Sequence, residues 1–191
     1  TETDADIEAI IALIHKIHKA GNRKLQINVT LSPFVPKPFT PFQWCAMQDS
    51  ATLLKNALRI KNAFAKARNI KIHYHTIENS LLEALISRGD IKIAEVVEIA
   101  WKKGARFDGW KECFNFSCWQ EAITECNITL DSYLGSRNPE DNLPWDFISL
   151  GIDKSFLLAE QKKALTGIQT PDCREICSSC GICNKEIKTT T

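Results

Sequence analysis

The N-terminal part of the chain places a helix directly before a strand, and this order constrains the fold more than any other feature. Isoleucines recur at three- and four-residue steps between residues 3 and 20, the spacing of one helix face, and Gly21 closes the segment. From Leu25 to Ser32 apolar and polar residues alternate strictly, as in a strand with one buried face. The order predicts the last unit of an α/β sheet or barrel, whose polar strand face either lines a lumen or meets water.

A proline-rich segment follows this strand. Four prolines fall within residues 33–41, and they remove so many backbone donors and free φ angles that neither a helix nor an inner strand fits. We therefore expect a stiff, extended loop. At the C-terminal end of an α/β strand, such a loop is where ligands are normally met, and a rigid connector between domains is the alternative.

Helical patterns dominate the rest of the chain, apart from a short alternating strand at residues 70–75. The predicted helices cover residues 49–68, 79–89, 91–104, 116–126 and 153–167. Cap residues are expected at Asn79 or Ser80, near Ser117 and at Asp153. Large aromatic rings bury much apolar surface, so we expect the tryptophans to pack between these helices. The five tryptophans are Trp44, Trp101, Trp110, Trp119 and Trp145.

Composition excludes several classes of protein. Twenty-four Lys and Arg against twenty-three Asp and Glu leave a formal net charge of +1, which provides no global field for nucleic acid or an anionic membrane. No apolar run approaches the roughly 18 residues of a membrane helix. Four of the eight cysteines are scattered and four are clustered, unlike a secreted disulfide framework. We expect a cytoplasmic protein without a membrane partner and, since Thr1 is not an initiator Met, a piece of a longer chain.

The clustered cysteines predict a metal site. Three, two and two residues separate Cys173, Cys177, Cys180 and Cys183. Structural zinc usually takes two CxxC pairs about a dozen or more residues apart, whereas short overlapping spacings suit thiolates that wrap a cubane cluster. The run therefore predicts a [4Fe-4S] cluster, with zinc, disulfides or unliganded thiols as the alternatives.

Other candidate ligands and charges are interpreted as structural. His15 and His18, like His73 and His75, lack a third ligand at metal spacing, so they are predicted to be packed or solvated. Ion pairs and turn caps, rather than catalysis, are predicted for Arg88, Asp90, Arg106 and Asp108.

Three stretches together resemble a known family: LSPFVPKPFTPFQW, ENSLLEALISRGDIKIAEVVEIAWKKGARFDGW, and LPWDFISLGIDKSFLLAEQKKALTGIQTPDC with the later CSSCGIC. They look like the C-terminal part of bacterial radical S-adenosylmethionine proteins, which often carry a cobalamin-binding-like domain upstream. The resemblance covers essentially the whole chain. It implies the end of a radical SAM (partial TIM-type) barrel over residues 1–44, a mostly helical extension over residues 45–169, and a cysteine-rich tail over residues 170–191.

The resemblance also implies an activity that this chain does not perform alone. Such enzymes cleave S-adenosylmethionine reductively at an open iron, giving a 5′-deoxyadenosyl radical. The first three cysteines of the run have the CxxxCxxC spacing of the catalytic loop. In the family, further barrel units follow that loop, whereas only eight residues follow Cys183 here. The catalytic loop is therefore expected upstream of Thr1. The chain would add an auxiliary [4Fe-4S] cluster for electron transfer or substrate anchoring, and cofactor contacts from Ser32, Pro33, Phe34, Lys37 and Thr40.

The expected partners follow from the same resemblance. They are the upstream remainder of the polypeptide, an electron donor protein, and RNA or another large molecule, because relatives with similar proline-rich loops modify such substrates. The alternative from another functional class is a non-enzymatic helical module with a zinc-stabilised tail that docks a protein or a nucleic acid. A free-standing ferredoxin-like carrier fits less well, because the long helical body would be superfluous to it.

Overall fold

The computed structural model describes residues 2–182 and has a mostly helical α/β fold within them, as the sequence predicts. The elements in chain order are α1 (Asp4–Ala20), β1 (Ile27–Leu31), α2 (Ser50–Ala63), β2 (Ile70–Tyr74), α3 (Ile77–Arg88), α4 (Lys92–Lys102), α5 (Phe116–Glu125), α6 (Leu130–Leu134) and α7 (Lys154–Leu165). No helix of this part of the chain is long and apolar enough to cross a membrane.

The described residues divide into two compact units. The first contains those within Thr1–Val35 and Gln48–Glu83, and the second contains those within Pro36–Met47 and Ala84–Thr191. One boundary between the units falls inside the proline-rich segment and another falls inside α3. The predicted division at residues 44 and 169 stays a prediction.

A two-stranded parallel sheet lies at the centre of the first unit. β1 and β2 are paired in a register that runs from Ile27 opposite Ile70 to Leu31 opposite Tyr74. Parallel strands need a long crossover, and α2 lies within the connection between them. The apolar strand positions pack with α1 and α2 in a core that includes Ile7, Ile14, Ile60, Phe64, Ile70 and Ile72. The polar positions of both strands are exposed: Asn28, Thr30, Lys71 and His73.

Helix α1 begins where the local chemistry predicts a start. The Thr3 backbone N–H donates to Asp6 Oδ2 at 2.7 Å, and the Asp6 N–H donates to Thr3 Oγ1 at 3.4 Å as well as to the Thr3 carbonyl at 3.1 Å, so both donors of the first turn are satisfied. Arg59 of α2 then pairs with Asp4 and Glu8 of α1, at 2.6 and 2.7 Å. These exposed ion pairs add little stability, so the two helices are held together mainly by packing in the apolar core.

The second unit is helical in its described residues. One core cluster consists of Trp44, Leu143, Trp145 and Leu157. Helices α4 and α5 contact each other, and small or branched side chains on them, Val96, Ala100 and Ala122, are fully buried. Such side chains allow two helices to approach closely.

One predicted helix start and one predicted cap residue differ from the observed ones. Helix α3 begins at Ile77, before the expected cap at Asn79 or Ser80. Helix α5 begins at Phe116, because the Asn115 side chain, rather than one near Ser117, is the cap and accepts the Ser117 N–H at 3.1 Å. Helix α7 begins directly after Asp153, the predicted cap position, but the Asp153 side chain makes no capping hydrogen bond.

The expectation that all five tryptophans join helices is wrong for two of them. Trp44, Trp119 and Trp145 are buried, whereas Trp101 and Trp110 are 55% and 63% exposed. Trp101 lies near the end of α4, where its ring stacks under the Arg106 guanidinium, 4.4 Å from the ring centroid. A ring at a helix end can find such a partner at the surface instead of in the core.

Candidate functional site

The cysteine run lies in the loop that follows α7. Cys173 and Cys177 are exposed and Cys180 is half-buried, while Cys183 lies outside the described residues. Within residues 2–182, no three or more His, Cys, Asp or Glu side chains lie close enough together to hold a metal ion. The structure thus puts three thiols of the predicted ligand set on one surface loop and does not bring them into a joint site.

The start of this loop is held against α7 by a small polar network. Thr170 Oγ1 donates to both carboxylate oxygens of Glu160, each at 2.7 Å. Lys163 Nζ donates to Glu160 Oε1 at 2.7 Å and to Thr170 Oγ1 at 3.0 Å. The hydrogen bonds from Lys163 and Thr170 lower the pKa of the Glu160 carboxyl. The chain is therefore fixed to the helix three residues before Cys173.

A turn connects the first two cysteines. The Asp172 carbonyl accepts the backbone N–H groups of Glu175 and Ile176, at 2.9 and 3.1 Å. The Asp172 carboxylate accepts the Arg174 N–H at 2.9 Å and pairs with the Arg174 guanidinium. Cys173 therefore lies inside this turn, and Cys177 directly follows it.

The end of the loop returns to the beginning of α7. The Asp153 N–H donates to the Cys180 carbonyl at 2.9 Å. The residues on either side of Cys180 have left-handed backbone conformations, with φ +55° at Ser179 and +97° at Gly181. These angles turn the chain sharply around the third cysteine.

The donor chemistry of the loop fits a soft metal. Thiolates are preferred ligands of iron–sulfur clusters and of zinc, and three of the four predicted donors are at least partly accessible. The loop is tied down before Cys173 and directly at Cys180. Such ties limit the conformations that a bound metal has to order.

The proline-rich segment contains neither helix nor strand, as predicted. The residues proposed to contact cofactor are divided between the two units. In the first unit, Ser32 and Phe34 are exposed and Pro33 is half-buried. In the second unit, Lys37 and Thr40 are half-buried, and Thr40 Oγ1 donates to the Lys37 carbonyl at 2.8 Å.

The complete burial of the charged Arg88 side chain was not predicted from the sequence. It is fully buried, and its guanidinium donates to four backbone carbonyls of the second unit. Nε reaches Tyr133 O at 2.9 Å and Nη2 reaches Gly135 O at 2.8 Å. Nη1 reaches Gln43 O at 3.1 Å and Pro36 O at 3.4 Å. Burial lowers the pKa of Arg88 to about 10, so the group remains charged at neutral pH.

A second guanidinium extends this network. Arg137 Nη2 donates to the Arg88 carbonyl at 2.7 Å, and the Arg137 guanidinium lies over the Trp145 ring at 5.3 Å. Burial also lowers the pKa of Arg137. Arg88 has structural partners, but they are backbone carbonyl groups and not the predicted ion pair or turn cap. The sequence around Arg88, SRGD, is typical of a helix end and does not indicate that the arginine is buried.

The other three charged residues singled out in the sequence also have structural partners. Asp90 Oδ1 accepts the Tyr133 hydroxyl at 3.1 Å and the Lys92 N–H at 3.0 Å. Arg106 donates to the carbonyls of Trp101 and Ala105. The Trp119 indole N–H donates to Asp108 Oδ2 at 3.3 Å. These contacts give the three residues structural partners, none of which is an ion pair, and the preference for structure over catalysis stays a prediction.

Two of the histidines and one of the scattered cysteines are packed or hydrogen-bonded individually. The His15 ring lies against Phe64 with centroids 4.7 Å apart, and His18 Nε2 shares a hydrogen bond with Asn69 Nδ2 at 2.7 Å. The Cys118 thiol donates to the Lys103 carbonyl at 3.3 Å. Burial, with the nearby Glu95 and Glu125 charges, raises the pKa of the Cys126 thiol.

No family model matches this sequence, and no solved structure matches it. A protein of Methanocaldococcus jannaschii that is described as uncharacterized is 29% identical over 98 residues. The matched stretch is 51% of this chain and 21% of that protein, so the similarity spans about a fifth of the relative's length. The chain is thus distantly similar to part of a longer archaeal protein.

Proposed function

We propose that this chain is the C-terminal part of a radical S-adenosylmethionine enzyme and that its cysteine loop holds an auxiliary iron–sulfur cluster. The observation that carries the proposal is the spacing of Cys173, Cys177, Cys180 and Cys183 at three, two and two intervening residues. Short overlapping spacings of this kind suit a cubane cluster better than a structural zinc ion. The accessible loop and its ties to α7 support the same assignment.

The four cysteines would be the cluster ligands. When bound, such a cluster supplies a one-electron carrier or an iron that anchors substrate. The chain itself contributes the ligands and their placement: Thr170 fixes the loop entry to Glu160, and the Cys180 carbonyl fixes its end to the N-terminus of α7. The surface position of the loop would let an electron donor protein approach.

The first unit would form one wall of the upstream barrel. Its two parallel strands, with α1 and α2 packed on one face, support this proposal, because barrel strands are parallel and carry helices on their outer face. The polar strand positions, among them Asn28 and Thr30, would then face the reaction chamber. The exposed Ser32 and Phe34, directly after β1, would contact cofactor or substrate there. RNA or another macromolecule is the proposed substrate class.

The test is the metal content of the protein purified without oxygen. We expect iron and acid-labile sulfide near about four each per chain, with a broad absorption band near ~400 nm. The variant with Cys177→Ala and Cys180→Ala should lose both. The matched control carries Cys113→Ala and Cys126→Ala, which also removes two thiols but lies outside the run, and it should keep both.

Two results would contradict the proposal. One zinc ion per chain without sulfide would assign the loop to a structural zinc site and favour the helical binding module. Metal that is retained by the Cys177→Ala, Cys180→Ala variant would place the site elsewhere in the chain.

A further inference from the structure

We infer that one end of the first unit is a binding surface for the phosphate backbone of a nucleic-acid duplex. This surface, here called the basic end, consists of five exposed cations: Lys19, Arg23, Lys24, Lys66 and Arg68. It shares no residue with the cysteine loop or with the proposed cofactor contacts. The inference therefore goes beyond the proposed function and does not depend on the metal site.

Charge is distributed unevenly along the chain, although the formal net charge is only +1. Residues 9–77 contain eleven Lys and Arg but a single acidic residue, Asp49. The acidic residues that precede this stretch lie at or near the start of α1: Glu2, Asp4, Asp6 and Glu8. A local positive field is therefore expected within the first unit, and the net charge of the whole chain does not show it.

Helices α1 and α2 lie side by side and point in the same direction. The Asn56 side-chain amide of α2 donates to Glu2, just before α1, at 3.2 Å. Further along both helices, the Phe64 ring lies against His15 with the centroids 4.7 Å apart. The loops that follow the two helices therefore begin at the same end of the unit.

Asn69 holds these two loops together. Its side-chain Nδ2 donates to the carbonyls of Arg23 and Leu25, each at 2.9 Å. Its backbone carbonyl accepts the Ile27 N–H at 2.8 Å. The basic residues of the first loop are thus fixed next to those of the second.

The five cations have no acidic partner within residues 2–182. None of them takes part in an ion pair there, whereas Arg59 pairs with Asp4 and Glu8 beside the start of α1. Helix α1 has 17 residues and is about 25 Å long, so its acidic start lies well beyond the Debye length of about 8 Å in physiological salt. The positive charge of the basic end therefore remains available to an anionic partner.

Helix capping does not account for most of these cations. Lys19 lies in the last turn of α1, where the helix dipole favours a positive charge. The other four lie three or more residues beyond the ends of α1 and α2, and the dipole effect falls off within the last turn. The stability of the two helices therefore does not require the four loop cations.

The neighbouring side chains favour a nucleic-acid duplex over other anionic partners. Asn22, Gln26 and Asn62 are exposed in the same segments, and amide groups donate hydrogen bonds to phosphate and sugar oxygens. Apart from histidines, Phe64 is the aromatic residue of segments 9–31 and 61–69, and it is buried. Single strands are held by bases that stack on exposed rings, so the basic end fits a paired backbone better than a single strand.

The basic end lies at the opposite end of the strands from the proposed cofactor contacts. Its loops lead into Ile27 and Ile70, which are paired where β1 and β2 begin, whereas Ser32 and Phe34 follow the end of β1. A strand of five residues is about 17 Å long. Backbone binding at the basic end is therefore separate from the proposed reaction chamber.

The test is the binding of the 191-residue protein to fluorescein-labelled duplexes of about 20 base pairs, followed by anisotropy at increasing NaCl. One duplex is RNA and the other is DNA, which distinguishes the two sources of a phosphate backbone. We expect the logarithm of the binding constant to fall linearly with the logarithm of the salt concentration, with a slope of about −4. Each neutralised phosphate adds about −0.9 to this slope, and five cations are available.

Paired substitutions locate the surface. Lys24→Gln with Lys66→Gln should make the salt slope less steep by about two and weaken binding by about 10-fold or more at about 0.1 M NaCl. Lys24→Arg with Lys66→Arg keeps both charges and should bind like wild type. The matched control is Lys92→Gln with Lys162→Gln, which removes two exposed lysines of the second unit and should change the affinity less than about two-fold.

Duplex binding that weakens in the Lys24→Gln, Lys66→Gln variant, and in neither of the other two, supports the inference. No binding of either duplex at about 0.05 M NaCl overturns it, and so do equal losses for the two glutamine variants. Tighter binding of a single strand or of poly-glutamate than of the duplexes also overturns it. Tighter binding of phosphatidylserine vesicles would overturn it by assigning the basic end, with its exposed Ile17 and Leu25, to a membrane surface.

Discussion

The Arg88 guanidinium takes the place of water for four backbone carbonyls, at distances of 2.8 to 3.4 Å. A lysine ammonium at this position would keep the charge, but as a compact group it cannot span acceptors spread around a planar fork. We therefore expect Arg88→Lys to lower the free energy of unfolding by about 2–4 kcal/mol, through unpaired buried carbonyls.

Urea denaturation at pH 7, followed by circular dichroism, measures this loss. Arg174→Lys is the control, because the Arg174 side chain is 87% exposed and its pair with Asp172 is at the surface. A change within about 0.5 kcal/mol is expected there. Similar losses for the two variants would mean that burial and carbonyl contacts do not distinguish Arg88.

Phe39 and Phe107 share an unusual backbone conformation, with φ +57° in both. Phe39 packs against the core around Trp145, whereas Phe107 is 75% exposed. Asparagine tolerates the left-handed region better than phenylalanine does. We expect Phe107→Asn to raise the free energy of unfolding by about 0.5–1 kcal/mol, and Phe39→Asn to lower it by about 1–3 kcal/mol.

The same urea titration measures the effect of Phe107→Asn and of Phe39→Asn. Each substitution is the control for the other, because both relieve the same unfavourable φ of +57°. Stabilisation by both would show that the Phe39 ring adds nothing to its core. Destabilisation by Phe107→Asn would reveal a contact of the exposed ring that outweighs the backbone term.

At the scale of elements, the attachment of the cysteine loop to α7 depends on pH. The pKa of Glu160 is lowered from its usual 4.5 by hydrogen bonds from Lys163 and Thr170. A lowered carboxyl pKa means that the ionised form is favoured in the folded state. Its stabilisation is complete above about 4.5 and is lost as the pH falls through the lower, folded-state pKa.

The amide chemical shift of Thr170 across an NMR pH titration reports this tether. We expect a transition with a midpoint below 4.5 in the wild type, and its absence in Glu160→Gln. Lys163→Met should move the midpoint upward, because it removes the hydrogen bond and the positive charge that most strongly lower the Glu160 pKa. A midpoint above 4.5 in the wild type would contradict the network as described.

Elements were predictable from sequence where a single periodic pattern dominated. The spacing of Ile7 and Ile14 and the alternation around Val29 gave α1 and β1 within a few residues of their observed ends. The start of α3 and the cap residue of α5 were less predictable. Near α5, Asn115 and Ser117 are two residues apart and both are good caps, so the sequence could not rank them.

At the scale of the whole molecule, the sequence predicted the class and the order of the helices and strands except for the short helix α6, but not how distant segments meet. Phe34 and Lys37 are nearly adjacent in sequence and nevertheless belong to different compact units. The partners of Arg88 are 45 to 52 residues away from it. Local patterns report on neighbours in sequence, so neither arrangement leaves a local signal.

The candidate metal site shows the same limit. Spacing identifies which cysteines could act together, because ligand chemistry depends on residue type and interval. It does not reveal that Cys180 is bonded to Asp153, since that contact joins the two ends of a segment containing a whole helix. The close approach of Gly181 to Gly151 is hidden for the same reason.

The buried guanidinium also dictates an order of assembly. During synthesis the chain emerges from its N-terminus, so Pro36, Gln43 and Arg88 are available well before Gly135. Until the last of these leaves the ribosome, the cation has only part of its acceptors, and burying it is unfavourable. We therefore expect the second unit to close only after Gly135 has been synthesised, with the Arg88 charge in water until then.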